Sequence, residues 1–229
     1  MKKLALATSA GVIAALVLGI GPAPAGQAAA ADRRAAGHAP RTGGTYSAPL
    51  VTAVNGLPVA TEVRTGYERS KFRHWVDADS DGCDTRDEVL DVESETSVTC
   101  SNLSGGRWFS YYDRVSWTDP GRIDIDHMVP LAEAWDSGAR SWTSAQRQSY
   151  ANDLGDSRSL VGVTDSVNAA KGDQDPAQWL PKYSRCRYLR EFVAVKIRWR
   201  LSVNSGEKTA MQDLAAGCTN VTVNVVRAI

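Results

Sequence analysis

Histidine is scarce in this chain. Its 229 residues include three histidines, and His38 sits in a stretch of small and polar residues with no apolar period. The other two, His74 and His127, are too few for a three-histidine zinc site, and no H-E-x-x-H helix is present. The lack of a G-x-S-x-G elbow excludes an ordinary serine esterase. The lack of a G-x-x-x-x-G-K-[ST] loop excludes a P-loop nucleotide site. Neither charge sign is in excess: 26 basic side chains balance 26 acidic ones. A polybasic, histone-like binder is therefore excluded, although local positive charge is not. Cysteine is limited to four residues, without the paired C-x-x-C spacing of a structural zinc site. Most hydrolase mechanisms are closed by these absences. A mechanism with one histidine and oxygen ligands for a hard metal ion stays open.

What is present is globular material, 43% hydrophobic and 23% charged, which argues against disorder, collagen or a coiled coil. Residues 1–30 differ from the rest. Lys2 and Lys3 precede an apolar run from Leu4 to Ile20, and small residues follow to Ala25 and Ala30. That order predicts a bacterial secretory signal peptide cleaved near Ala25 to Ala30, and a secreted product with no membrane attachment after processing. Residues 31–48 read as a flexible linker, and residues 49–229 as a single domain. In an exported chain, Cys83, Cys100, Cys186 and Cys218 imply two disulfides. Three pairings are possible. Cys83–Cys100 with Cys186–Cys218 is favoured, because each closes a local loop on its own side of the central motif.

Apolar spacing predicts a helix over Leu57 to Val76, with Val63, Tyr67, Phe72 and Trp75 on one face. Short strands are expected at Val98, Trp108 to Tyr112, Val115 to Trp117 and Ile123 to Ile125, with turns at Gly105-Gly106 and Asp119-Pro120-Gly121. A helix should start at Pro130, and a second should be capped by Thr143. Leu160 to Val163 reads as a strand, followed by a helix that Asp165 can cap. Arg185 to Val203 carries the longest helical pattern, with Tyr188, Phe192, Val195 and Trp199 on one stripe. Arg185, Arg187, Arg190, Lys196, Arg198 and Arg200 crowd its other positions. They read either as a solvated face or as a local phosphate-attracting surface.

The segment G-R-I-D-I-D-H-M-V-P-L-A-E-A-W, Gly121 to Trp135, alternates isoleucine with aspartate, as on a strand with one polar face. Asp126 and His127 end that strand. Farther on, D-S-V-N-A-A-K-G-D places Asn168 and Lys171 three apart, on one helical face. A carboxylate and an amide oxygen suit Mg²⁺ better than zinc, and a neutral imidazole can take the proton of an attacking water.

These stretches, I-D-I-D-H-M-V-P-L-A-E-A-W-D-S-G-A, A-N-D-L and L-V-G-V-T-D-S-V-N-A-A-K-G-D-Q-D-P-A-Q-W-L-P, together with C-D-T-R-D-E-V-L from Cys83, resemble exported bacterial HNH-type endonucleases. Those share a catalytic domain with the C-terminal part of GmrSD-type restriction enzymes. The resemblance runs from about Arg69 to Cys218. It implies an α+β fold with a ββα-metal core, extended by further helices and short strands, in a nuclease domain spanning residues 49–229. It also implies one catalytic divalent ion, most simply Mg²⁺, held by Asp126 and Asn168. His127 is then the general base and Lys171 a cation near the scissile phosphate. The motif's middle Asn should fall near Ser159, where serine is a departure. Glu133 reads as a helix-surface residue, or as a partner of metal-bound water. Arg86, in the C-D-T-R run, is a candidate phosphate contact.

Asp77, Asp79, Asp81, Gly82 and Glu88 also fit the calcium-loop pattern D-x-D-x-D-G-x₅-E. Asp84 stands where a paired EF-hand has an apolar residue, so no standard EF-hand pair is expected, and two readings stay open: a lone structural Ca²⁺, or an acidic turn closed by local ion pairs. The leading functional expectation is a secreted, metal-dependent endonuclease acting on DNA, with RNA open as a further substrate, with low sequence specificity and no obligate protein partner. The alternative is a non-catalytic, calcium-stabilised extracellular binding module, which leaves Asp126, His127, Asn168 and Lys171 without a role.

Overall fold

The structure, a computed structural model, describes residues 43–229. The expected signal peptide and the expected linker up to residue 42 lie outside the described residues. The linker does not extend to residue 48. Thr45–Pro49 forms strand β1, which pairs antiparallel with β6 (Thr222–Val226), Thr45 facing Val226. The T-Y-S-A-P pattern is too weakly apolar to announce a strand, and its partner lies far along the chain: Ser47 Oγ donates to Asn224 Oδ1 across 177 positions. Helix α1 (Leu50–Gly56) follows at once and buries Leu50, Ala53 and Val54.

No helix forms over residues 57–76. That segment is irregular, apart from one 3-10 turn at Arg69–Lys71. Pro58 disfavours a helical residue before it, and Gly66 takes φ +79°, a left-handed conformation that interrupts a helix. The aromatic residues reach the core through ring packing instead. Phe72 is fully buried, with its ring centroid 6.1–6.4 Å from those of Tyr67, Trp135 and Tyr150.

Helix α2 (Thr85–Glu93) begins where the Asp84 carboxylate accepts from the N–H groups of Arg86 and Asp87, a side-chain cap. β2 (Trp108–Ser110) and β3 (Val115–Trp117) pair antiparallel. The strand expected at Val98 reduces to an isolated bridge between Thr99 and Asn102. β4 (Ile123–His127) pairs antiparallel with β5 (Leu160–Thr164), His127 facing Leu160. Helices α3 (Leu131–Asp136) and α4 (Ser144–Ala151) lie between them in sequence, and Thr143 with Gln146 forms a capping box for α4. β5 runs directly into α5 (Asp165–Lys171), with Thr164 rather than Asp165 at the cap position. Helix α6 (Arg185–Arg198) is shorter than expected at its C-terminus, and α7 (Ser205–Ala216) opens on a capping box of Asn204 and Glu207.

The larger apolar core gathers around α6, where Tyr188, Phe192 and Val195 are buried as their spacing predicts. A smaller core of Val89, Leu90, Trp108, Ile123, Ile125 and Leu160 supports β4 and β5. The chain is thus a mixed α/β fold with two disulfides. Cys83–Cys100 and Cys186–Cys218 close separations of 17 and 32 residues, each restricting the unfolded chain by roughly 3 kcal/mol. Among the described residues no helix is long and apolar enough to cross a membrane.

Candidate active site

His127 is the last residue of β4, and its ring is 7% exposed. It stacks on Trp75 at 5.5 Å and an interplanar angle of 29°, and on Tyr150 at 6.4 Å and 20°. Nε2 lies 2.9 Å from the Ala151 carbonyl oxygen. A carbonyl can only accept, so Nε2 carries the proton and Nδ1 keeps its lone pair. Burial pushes the imidazole pKa down to about 3, outweighing the Ala151 hydrogen bond, while the charges of Arg69, His74 and Lys171 push the same way as burial. The ring is therefore neutral, with its lone pair at Nδ1.

The side chain of Asp126 is 4% exposed. Lys171 Nζ donates to both of its oxygens, at 2.7 and 2.6 Å, and to the carbonyls of His127 and Met128. Tyr112 Oη donates to Asp126 Oδ2 at 2.6 Å. Burial raises the Asp126 pKa and lowers that of Lys171, each opposed by the attraction between them. Lys171 was expected beside a phosphate. Its side chain is fully buried and acts as the counterion that fixes Asp126 and the turn after β4.

Asp124 shares a strand face with Asp126, two residues apart. Its Oδ2 accepts from Asn168 Nδ2 at 2.6 Å, so Asn168 is tied to Asp124 rather than to Asp126. Asp124, Asp126, His127 and Asn168 line one open cleft of about 350 Å³, with Tyr67 and Trp75 at its wall. Its aspartate and amide oxygens are hard donors, a set that suits Mg²⁺ or Ca²⁺ better than a soft transition metal. Asp124 was not singled out from sequence, although the I-D-I-D alternation carried the signal. Tyr112 and Trp75 had no such signal, because they arrive from distant segments.

Other expected site residues lie elsewhere. Arg86 Nη2 donates to the carbonyls of Pro120 and Ile123, at 2.9 and 3.2 Å, and so ties α2 to the start of β4. Ser159 Oγ donates to Asp153 Oδ2 at 2.7 Å, and the Ala151 carbonyl, not Ser159, braces the His127 ring. Glu133 is neither on the helix surface nor in the cleft lining. It is 3% exposed, and its Oε1 accepts from Lys196 Nζ at 2.6 Å. The α6 cations do not all lie on one phosphate-attracting face. Lys196 and Arg198 are buried on Glu133, Glu207 and Asp153. Arg187 pairs with Glu191, while Arg185, Arg190 and Arg200 donate to backbone carbonyls. The acidic partners of Lys196 and Arg198, on other elements, are invisible to helical periodicity.

In the acidic loop, oxygens of Asp77, Asp79 and Asp81 lie within 4.8 Å of one another. Glu88 is outside that group, on α2. Asp77 accepts from the N–H groups of Ser80 and Gly82, and Asp81 from that of Cys83.

A family model described as GmrSD restriction endonucleases, C-terminal domain, matches residues 84–214. An "Uncharacterized secreted protein" of Arthroderma benhamiae is 44% identical over 171 residues, covering 72% of this chain and 82% of that protein. This relative is fungal, so the bacterial side of the expectation gains nothing from it. No solved structure matches the chain. The matched segment holds α2 to α6 and every acidic, amide and histidine side chain that lines the cleft, and on that match the chain belongs to the GmrSD restriction endonuclease C-terminal domain family.

Proposed function

We propose that the chain is a secreted, divalent-metal-dependent endonuclease of the HNH type that hydrolyses phosphodiester bonds of DNA with low sequence specificity. The observation that carries this reading is the neutral His127, with Nδ1 unprotonated, in the same cleft as the oxygens of Asp124, Asp126 and Asn168. In this reading β4, β5 and α5 form the ββα core, within one nuclease domain that follows a cleaved signal peptide and a linker. Asp126 and Asn168 hold the ion, with Asp124 as a further donor. A bound Mg²⁺ supplies neutralisation of charge at the phosphate and the leaving oxygen.

The side chains divide the remaining work. His127 Nδ1 takes the proton of the attacking water. The Ala151 carbonyl holds the tautomer that makes this possible, and Trp75 and Tyr150 hold the ring plane. Lys171 and Tyr112 orient Asp126, as groups behind a metal ligand do. The secreted relative supports the proposed location.

The test is plasmid DNA incubated with the purified protein and Mg²⁺, with and without EDTA. EDTA-sensitive loss of supercoiled plasmid is expected. Protein that binds calcium but leaves the plasmid intact would favour the non-catalytic binding module instead.

The acidic loop of Asp77, Asp79 and Asp81 is tested separately, as a structural Ca²⁺ site against a plain acidic turn. Calcium bound only to the folded state raises the melting temperature by mass action. Asp79→Ala is expected to abolish that rise. A melting point unmoved by calcium in the wild type would make the loop a plain acidic turn.

A further inference from the structure

Lys171, the cation that the family resemblance places at the scissile phosphate, is buried and engaged by Asp126. A polyanionic substrate therefore needs another positive group in the cleft. Among the residues lining it, Arg69 is the single lysine or arginine. Its side chain is exposed and makes no hydrogen bond or ion pair with any described residue. Three nearby cations are engaged. Arg64 pairs with Asp136 and Asp173, and Lys71 with Glu68 and the Gly66 carbonyl. Arg147 donates to the carbonyls of Lys71 and Trp142.

Arg69 opens the 3-10 turn that ends at Lys71. Tyr67 just before the turn and Phe72 just after it both pack on Trp135, at ring distances of 6.1 and 6.4 Å. The backbone under Arg69 is thus anchored at both ends, which limits the ordering cost of binding. A phosphodiester offers two non-bridging oxygens, and a guanidinium presents two parallel N–H donors that match them.

We propose that Arg69 is the phosphate-binding cation of this cleft, gripping non-bridging oxygens of the nucleic-acid backbone beside His127. The assignment rests on the nuclease reading above. It goes beyond the family match, because Arg69 lies outside residues 84–214.

Arg73 provides the control. It is also exposed, and its side chain also makes no hydrogen bond or ion pair. It lines a neighbouring cavity with Val76, Asp77 and Gln148 rather than the His127 cleft. Binding of a short DNA duplex is measured over a salt series in the His127→Ala background, alone and with Arg69→Ala, Arg69→Lys or Arg73→Ala. Turnover is measured with His127 intact.

Arg69→Ala should weaken binding by about 10- to 100-fold, the loss of a charge-assisted bidentate contact. It should also flatten the log–log salt slope by about 0.9. Arg69→Lys should restore the slope but only part of the affinity, because an ammonium is a point charge. Arg73→Ala should bind like its parent. All variants should melt with their parent, since neither arginine side chain is paired. Unchanged affinity and slope in Arg69→Ala, or an equal loss in Arg73→Ala, overturns the assignment and leaves the nuclease reading standing. A wild type that neither cuts nor binds DNA removes both.

Discussion

His127→Ala is expected to cut plasmid DNA about 10²- to 10⁴-fold more slowly than wild type, the usual contribution of a positioned general base. The expectation follows from where the protons sit. Nε2–H is committed to the Ala151 carbonyl, which leaves Nδ1 to accept. The one other described histidine, His74, has its ring centroid 6.5 Å from that of His127, and its Nδ1 is bonded to the Phe72 carbonyl. Loss of the ring between Trp75 and Tyr150 leaves a gap in an aromatic stack. Some thermal stability should therefore be lost too, and rates are compared at equal folded concentration, well below the melting transition. Full activity in the folded variant would show that another group takes the proton.

Lys196→Met should cost about 3–5 kcal/mol of unfolding free energy, the range for removing one partner of a buried ion pair. Lys196 is fully buried, and its Nζ meets Glu133 Oε1 at 2.6 Å, Ser137 Oγ at 2.7 Å, the Ser202 carbonyl at 2.9 Å and Glu207 Oε1 at 3.0 Å. Methionine fills similar space but leaves two buried carboxyls facing each other. The pH dependence has a definite sign. Burial pushes the Glu207 pKa up to about 8, against the attraction of Lys196 and with repulsion from Glu133 and Asp175. Burial also raises the Glu133 pKa, with added repulsion from Glu62. The folded state therefore holds protons that the unfolded chain releases above its ordinary carboxyl pKa of 4.5. The stability linked to Glu207 is fully present below about pH 4.5 and is lost as pH rises through about 8. Lys196→Met should fall farther below wild type at pH 8 than at pH 5, because protonation relieves the unpaired carboxyls. Urea melts at three pH values would check this. A loss below about 1 kcal/mol would put Lys196 in the class of weak surface pairs.

Local signals were legible in the sequence. The Ile123–Ile125 alternation marked β4 and its two faces, and Thr143 with Gln146 marked the start of α4. Tyr188, Phe192 and Val195 marked the buried stripe of α6, and both disulfides followed from proximity along the chain. The positions of charged side chains were not legible. Lysine, arginine and glutamate on a helix ordinarily imply solvent. Asp126, Glu133 and Asp153, which pair with the buried Lys171, Lys196 and Arg198, lie 45 to 63 positions away, on other elements. The absent helix over 57–76 has a related cause. Tyr67 and Phe72 satisfy a helical pattern but pack edge-on against Trp135 and Tyr150 across the fold, which periodicity cannot distinguish from a helix face. The same blindness hid Arg69, whose isolation is defined only by where its neighbours find their partners.

The pairing of β1 with β6 sets an order on folding. Gly43 donates its N–H to the Arg227 carbonyl, and Arg227 donates back to that of Gly44, so the first described residues are zipped to the last. This two-stranded sheet has no other strand. On a ribosome or emerging from a channel, β1 appears first and waits, unpaired, until Thr222–Val226 is available. Closing so long a loop adds entropy cost only logarithmically with length, but its high contact order places it late in folding. A chain stopped before Thr222 would keep the sequence of the cleft and still expose an orphan strand edge, the kind of surface that recruits other chains.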